Sequence, residues 1–174
     1  MRLISAAAGF ATIVAAGCAT MGGQESRATA TLEPTRGNAT AGTVTFVQRG
    51  DKVLVSADVR GLKPNQEHGF HVHEKGDCGS GDGMSTGGHF NPDGVTHGQA
   101  QPADTGHVGD MPNLKADAAG NAKASFEVRK MTVADGKFSI VGKGLIVHRD
   151  PDDYKSQPTG NAGPRLACSV IKAA

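Results

Sequence analysis

At 174 residues the chain is long enough for one ordinary domain and too short for two. With six Phe, one Tyr, no Trp and 25 Gly, its core must be built from Val, Ile, Leu and Ala, and Gly-rich turns favour an all-β chain. A net charge of +1 excludes the strong basic excess that a nucleic-acid or acidic-polymer binder would carry.

The first element is a leader. Arg2 precedes an uncharged, mostly apolar run from Leu3 to Gly17, shorter than the roughly 20 residues a membrane span needs and suited to a secretory signal. Ala15-Ala16-Gly17-Cys18 places small residues directly before a cysteine. That arrangement resembles a bacterial lipoprotein cleavage site, with Cys18 as the lipidated first residue of the mature chain. Ala15 stands where that consensus has Leu, so ordinary signal cleavage nearby stays open as the other reading. Lipidation of Cys18 would absorb the odd one of three cysteines. Cys78 and Cys168 then remain, either as a disulfide that an oxidising compartment preserves or as two buried thiols. Residues 18–27 are small and polar and read as a tether, leaving 28–174 as the folded domain.

Strand patterns begin at about Arg27. Thr43 to Val47 is β-branched and aromatic. Val53, Val55, Ala57 and Val59 alternate with Lys52, Ser56 and Asp58, which puts one face on a core and one in water. Gly50-Asp51 signals a hairpin, Gly61 to Asn65 a further turn, and Glu67 to Glu74 another strand. Residues 75–110 carry no periodicity. A loop of this length inside a compact domain is functional or disordered, and it holds three of the seven histidines. Strands are expected again at Asn113–Asp117 and Ala122–Arg129, joined by the turn Ala119-Gly120-Asn121, and at Phe138–His148. A second loop, Arg149 to Pro164, precedes a last strand at Arg165–Ile171. About eight short strands separated by turns indicate a β-sandwich or barrel.

Histidines supply the candidate chemistry. His71 and His73 stand two apart on an expected strand, so both rings project from one side. His89, His97, His107 and Asp110 lie in the long loop, and His148 ends a strand. Nitrogen ligands with one carboxylate suit zinc, and imidazole-only ligation suits copper. Singly, each histidine reads as an ordinary polar residue. Together, six of seven fall at strand ends or in a Gly-rich loop, which points to metal.

The segments Gly69-Phe70-His71-Val72-His73-Glu74, Gly88-His89-Phe90-Asn91-Pro92, His107-Val108-Gly109-Asp110, Leu145-Ile146-Val147-His148 and Gly160 to Cys168 resemble the copper–zinc superoxide dismutases. The motifs occur in that family's order, from about residue 30 to the end. The resemblance implies an eight-stranded antiparallel Greek-key β-sandwich or barrel with two long functional loops. It implies one copper ion on His71, His73, His89 and His148, and one zinc ion on His89, His97, His107 and Asp110. His89 would be shared by both ions and would handle the proton. Asp152 would hydrogen-bond one ligand of each metal, and Cys78–Cys168 would be the family disulfide. Arg165 would present a guanidinium to the anionic substrate, while His68 matches a structural position without a catalytic role.

The implied activity is dismutation of superoxide to dioxygen and hydrogen peroxide. The competing function is copper binding or delivery on the same fold, in which metal ligands or the arginine can be missing. All six candidate histidines, Asp110 and Arg165 stand in this chain. One departure concerns steering: Pro158 stands where the family often has lysine, Lys155 is offset, and Asp150, Asp152 and Asp153 add negative charge. The expected location is the periplasm or cell envelope, with a membrane contact only through Cys18. A homodimer is compatible with the family, whose bacterial members use different interfaces.

Overall fold

The computed structural model describes residues 25–99 and 105–174, so the leader, Cys18 and most of the tether lie outside the described residues. Ten strands make up the regular structure: β1 (Arg27–Pro34), β2 (Ala41–Arg49), β3 (Lys52–Arg60), β4 (Glu67–His68), β5 (Phe70–His73), β6 (Leu114–Lys115), β7 (Ala122–Val128), β8 (Gly144–His148), β9 (Arg165–Val170) and β10 (Lys172–Ala173). The only helical turn among the described residues is Met84–Thr86.

Every strand pair is antiparallel. Hydrogen-bonded neighbours run β5-β8-β9-β1-β2-β3-β7, with β10 beside β1, and β4 pairs β6 separately. Because β4 leads into β5 through Gly69, and β6 leads into β7 through a turn closed by Asp117 N–H to Asn121 O at 2.8 Å, the sheet curls back on itself. β3 lies beside β7 rather than β4, so the chain skips across the barrel end between β3 and β4 in Greek-key fashion. The eight expected strands are all here. Glu67–Glu74 divides at Gly69 into two, and β10 is an addition the sequence did not signal.

Alternation explains the core. In β3, Val53, Val55, Ala57 and Val59 are buried while their neighbours face outward. They pack with Leu32, Phe46, Phe70, Leu114, Leu145 and Ile171. One expectation fails: the strand read at Phe138–His148 begins only at Gly144. Phe138 is exposed, and residues 138–143 form turns around Gly142, whose φ is +78°. The apolar composition of this stretch serves packing against the barrel end, with Ile140 fully buried, rather than a ladder.

Candidate metal centre

β5 brings the site together. One of its edges pairs with β8, setting His71 opposite Ile146 and His73 opposite Gly144. Its other edge receives the long loop. Phe90 N–H donates to Val72 O at 2.8 Å, Val72 N–H to Gly109 O at 2.9 Å, and Gly109 N–H to Phe90 O at 2.9 Å. These bonds place His89 beside His73 and Asp110 beside His71 in short bridges. β8 ends on His148, which faces Arg165 on β9 after a register shift.

Two groups of buried donors result. His71, His73, His89 and His148 offer ring nitrogens within 4.8 Å of one another, and so do His89, His97 and His107 with an Asp110 oxygen. His89 belongs to both.

Hydrogen bonding decides which ring nitrogens face inward. A carbonyl or carboxylate only accepts, so the nitrogen beside it carries the proton, and in a neutral ring the other nitrogen keeps its lone pair. His73 Nδ1–H donates to Gly87 O at 2.9 Å, and His148 Nδ1–H to Gly163 O at 3.0 Å. His71 Nε2–H and His97 Nε2–H donate to the two oxygens of Asp152, at 2.8 and 2.9 Å. The inward nitrogens then lack donors: His73 Nε2 and His148 Nε2 stand 3.4 Å apart, both as acceptors. His71 Nδ1 and His89 Nε2 are buried with no hydrogen-bond partner, and His97 Nδ1 and His107 Nδ1 face only Asp110, at 2.9 and 3.3 Å. Buried polar atoms ordinarily find partners. Converging lone pairs are stable only around cations, and imidazole-rich sets of this kind fit copper and zinc.

Electrostatics agree. Burial first, then neighbouring histidines, push His73 and His148 well below the ordinary value, and His89 falls to about 4 from burial and the His71 charge. These rings are neutral and metal-ready at pH 7. Burial alone would lower His97 too, but Asp110 and Asp152 override it and raise His97 to about 9. Burial opposes ionisation of Asp110 and Asp152, yet their histidine partners hold both carboxyls well below the usual range.

The carboxylates are themselves held. Asp110 Oδ2 accepts from His107 N–H at 2.9 Å and Gly98 N–H at 3.2 Å. Asn113 grips the Asp152 backbone with Oδ1 and Nδ2, both at 3.0 Å, and Tyr154 N–H donates to Asp152 Oδ1 at 2.7 Å. Gly160 closes over Asp152, where a Cβ would overlap the carboxylate and lie 2.7 Å from His97 Nε2, so only glycine fits.

Arg165 is half-buried and donates to Gly83 O at 2.6 Å, Thr86 Oγ1 at 2.8 Å and Gly87 O at 2.6 Å. Cys78 and Cys168 form a disulfide with Cα atoms 6.0 Å apart, tying this same loop to β9. His68 is fully buried and hydrogen-bonds the His148 carbonyl at 2.9 Å through Nδ1. All the candidate residues of the sequence analysis except Cys18 are thus within the described structure, and the seven expected metal ligands converge. The carbonyls of Gly87 and Gly163, the Tyr154 N–H and the side chain of Asn113 were not foreseen. Backbone groups leave no residue-type signature, and Asn113 stands 39 residues from Asp152 in the chain, so no sequence signal joined the two.

Comparison with known proteins gives the same direction. The family described as copper/zinc superoxide dismutase (SODC) matches residues 40–171. The Cu-Zn superoxide dismutase of Paramecium bursaria Chlorella virus 1 is 47% identical over 136 residues, covering 75% of this chain and 71% of the relative. Cu-Zn superoxide dismutase 2 of Aquifex aeolicus (strain VF5) is 40% identical over 153 residues, covering 86% and 88%. The crystal structure of the clock protein EA4 superposes with a TM-score of 0.77 at 38% identity, over 86% of this chain and 96% of that one.

Proposed function

The chain belongs to the copper/zinc superoxide dismutase family, and on that premise we propose which of its residues perform each part of the reaction. The protein is an oxidoreductase that converts two superoxide anions and two protons to dioxygen and hydrogen peroxide, using one copper and one zinc ion. Bound copper supplies one-electron redox chemistry, and zinc, which has none, supplies charge and structure.

His71, His73, His89 and His148 are the copper ligands in this reading, and His89, His97, His107 and Asp110 the zinc ligands. The observation that carries it is the set of buried ring nitrogens turned toward one another with no partner outside the two groups. His89 has no partner outside the two groups: Nδ1 faces Asp110 at 2.8 Å, and Nε2 is free. It is the residue to hold a proton at Nε2 and pass it to the reduced product. Arg165, fixed by three oxygen acceptors, presents a permanent positive charge to the incoming anion. Asp152 orients His71 and His97 together.

One of the three acidic residues that raised doubt about steering has a countercharge beside it. Asp150 pairs with Arg149 at 2.8 Å. Asp153 keeps its negative charge, held in the ionised form by the hydrogen bond from Ser156 Oγ at 2.6 Å. Copper delivery is not favoured, because the full donor set and Arg165 are both in place.

Export fits the Cys78–Cys168 disulfide, which persists in an oxidising compartment. The leader 1–17 and Cys18 support a lipid-anchored envelope protein with the domain at 28–174. Mass spectrometry of the mature N-terminus tests the anchor: a diacylglyceryl mass on Cys18 is expected, and an unmodified or missing Cys18 contradicts it. Superoxide removal by the copper- and zinc-loaded protein, against zinc-only protein, tests the assignment. Fast removal that requires copper, lost in H73A and H148A, is the expected result.

A further inference from the structure

The loop at 149–164 reaches the zinc-side group at two places, and the Asp152 carboxylate is only one of them. Gln157 lays its side-chain amide against the backbone of His97. The His97 N–H donates to Gln157 Oε1 at 2.8 Å, and Gln157 Nε2 donates to the His97 carbonyl at 2.9 Å. The same Nε2 donates to Lys155 O at 3.2 Å. An acceptor against an N–H and a donor between two carbonyls leave one orientation for the amide. Among the described residues, these are the only hydrogen bonds made by the His97 backbone.

His97 is therefore gripped twice by one loop, at its ring by Asp152 and at its main chain by Gln157. The two grips differ in reach. Asp152 also holds His71, so it touches both metal groups. The hydrogen bonds of Gln157 go to His97 and to its own loop alone. Fixing the His97 backbone fixes the direction in which Nδ1 points, toward His89, His107 and Asp110.

We propose that Gln157 is a positioning residue selective for zinc: by clamping the His97 backbone it sets the His97 ring in the zinc group and retains zinc without acting on copper. The inference rests on the assignment of His97 to zinc made above. The chemistry is that of an outer partner fixing a ligand, which ordinarily changes metal affinity by about 10- to 100-fold.

The test uses the full chain loaded with both metals, as wild type, Q157A, Q157E and H97A. Gln157 is exposed, and the contacts its replacement removes are its hydrogen bonds to the His97 backbone and to Lys155 O. Zinc transfer to a chromogenic chelator, copper release, and the visible bands of cobalt substituted for zinc are measured. Q157A should release zinc about 10- to 100-fold faster, with shifted cobalt bands and copper release unchanged. Q157E keeps the acceptor for His97 N–H but has no donor for the His97 carbonyl, and should fall between. Zinc release and cobalt bands of Q157A matching wild type, while H97A loses zinc, would overturn the proposal. Equal acceleration of copper release in Q157A would overturn its selectivity for zinc. Zinc held normally by H97A would remove the zinc assignment itself and the proposal with it.

Discussion

His73 and Arg165 hang on one atom. The carbonyl oxygen of Gly87 accepts His73 Nδ1–H at 2.9 Å and an Arg165 guanidinium hydrogen at 2.6 Å. A ring turned toward the copper group and the charge offered to the substrate are thus registered against each other. The registering element is the loop that Cys78 ties to β9, three residues beyond Arg165.

Arg165→Ala should separate charge from metal binding. It removes the fixed cation and leaves Gly83 O, Thr86 Oγ1 and Gly87 O without that donor. Superoxide dismutases are themselves a known case of electrostatic steering, where surrounding charge raises encounter rates by about 10- to 1,000-fold. The rate constant should fall about tenfold or more, and its decline with added salt should flatten. Stopped-flow rates at several ionic strengths decide this, and a variant as fast and as salt-sensitive as wild type would remove Arg165 from the approach.

Asp152→Asn should weaken both metals at once. The carboxylate accepts from His71 and from His97 with its two oxygens. An amide keeps one acceptor and sets an N–H₂ against the other ring, which disfavours the required tautomer. Affinities for copper and zinc should each fall about 10- to 100-fold. Competition with chelators of known strength measures both, and loss of one metal alone would contradict the shared role.

The difference between what the sequence revealed and what it hid follows from where information resides. His71-Val72-His73 was readable because strand alternation turns two rings the same way, and the loop histidines because side-chain type carries ligand chemistry. The meeting of these segments depends on the open edge of β5 accepting Phe90 and Gly109 through backbone bonds. No residue type advertises such bonds. The same holds for the Gly87 and Gly163 carbonyls that set the His73 and His148 tautomers. At Phe138–Lys143 the apolar residues misled, because burial of Ile140 outside a ladder uses the same kind of side chain as a strand.

Reduction of Cys78–Cys168 should loosen the loop that grips Arg165. The bond closes a separation of 90 residues, which stabilises by about 4–5 kcal/mol if its effect is on the entropy of the unfolded chain. Denaturant unfolding of the C78S/C168S double variant should show a loss of that order. Metal retention should weaken and the rate constant should fall, because the loop carrying the Gly83, Thr86 and Gly87 acceptors loses its covalent tie to β9 and keeps only the Arg165 hydrogen bonds. Unchanged stability and unchanged zinc affinity would show that the barrel alone fixes this loop.

Zinc uptake should release the proton that His97 carries in the metal-free protein. In the metal-free protein His97 titrates at about 9, held up by Asp110 and Asp152 against the effect of burial. It therefore carries a proton at pH 7 that a metal on Nδ1 must displace. His73 and His148 are held well below the ordinary value and His89 at about 4, so they are already neutral. The sign follows from linkage: zinc affinity should rise about tenfold per pH unit between pH 7 and 9 and level off above, as the competing proton is lost. The same raised value makes protonated His97 a stabilising contribution to the metal-free protein below its unfolded value of about 6.5, lost as pH rises through 9. Calorimetric titration of zinc at pH 7 in two buffers of different ionisation enthalpy measures the release directly. About one proton per zinc is expected from His97, and heats that do not depend on the buffer would show that this ring is neutral before the metal arrives.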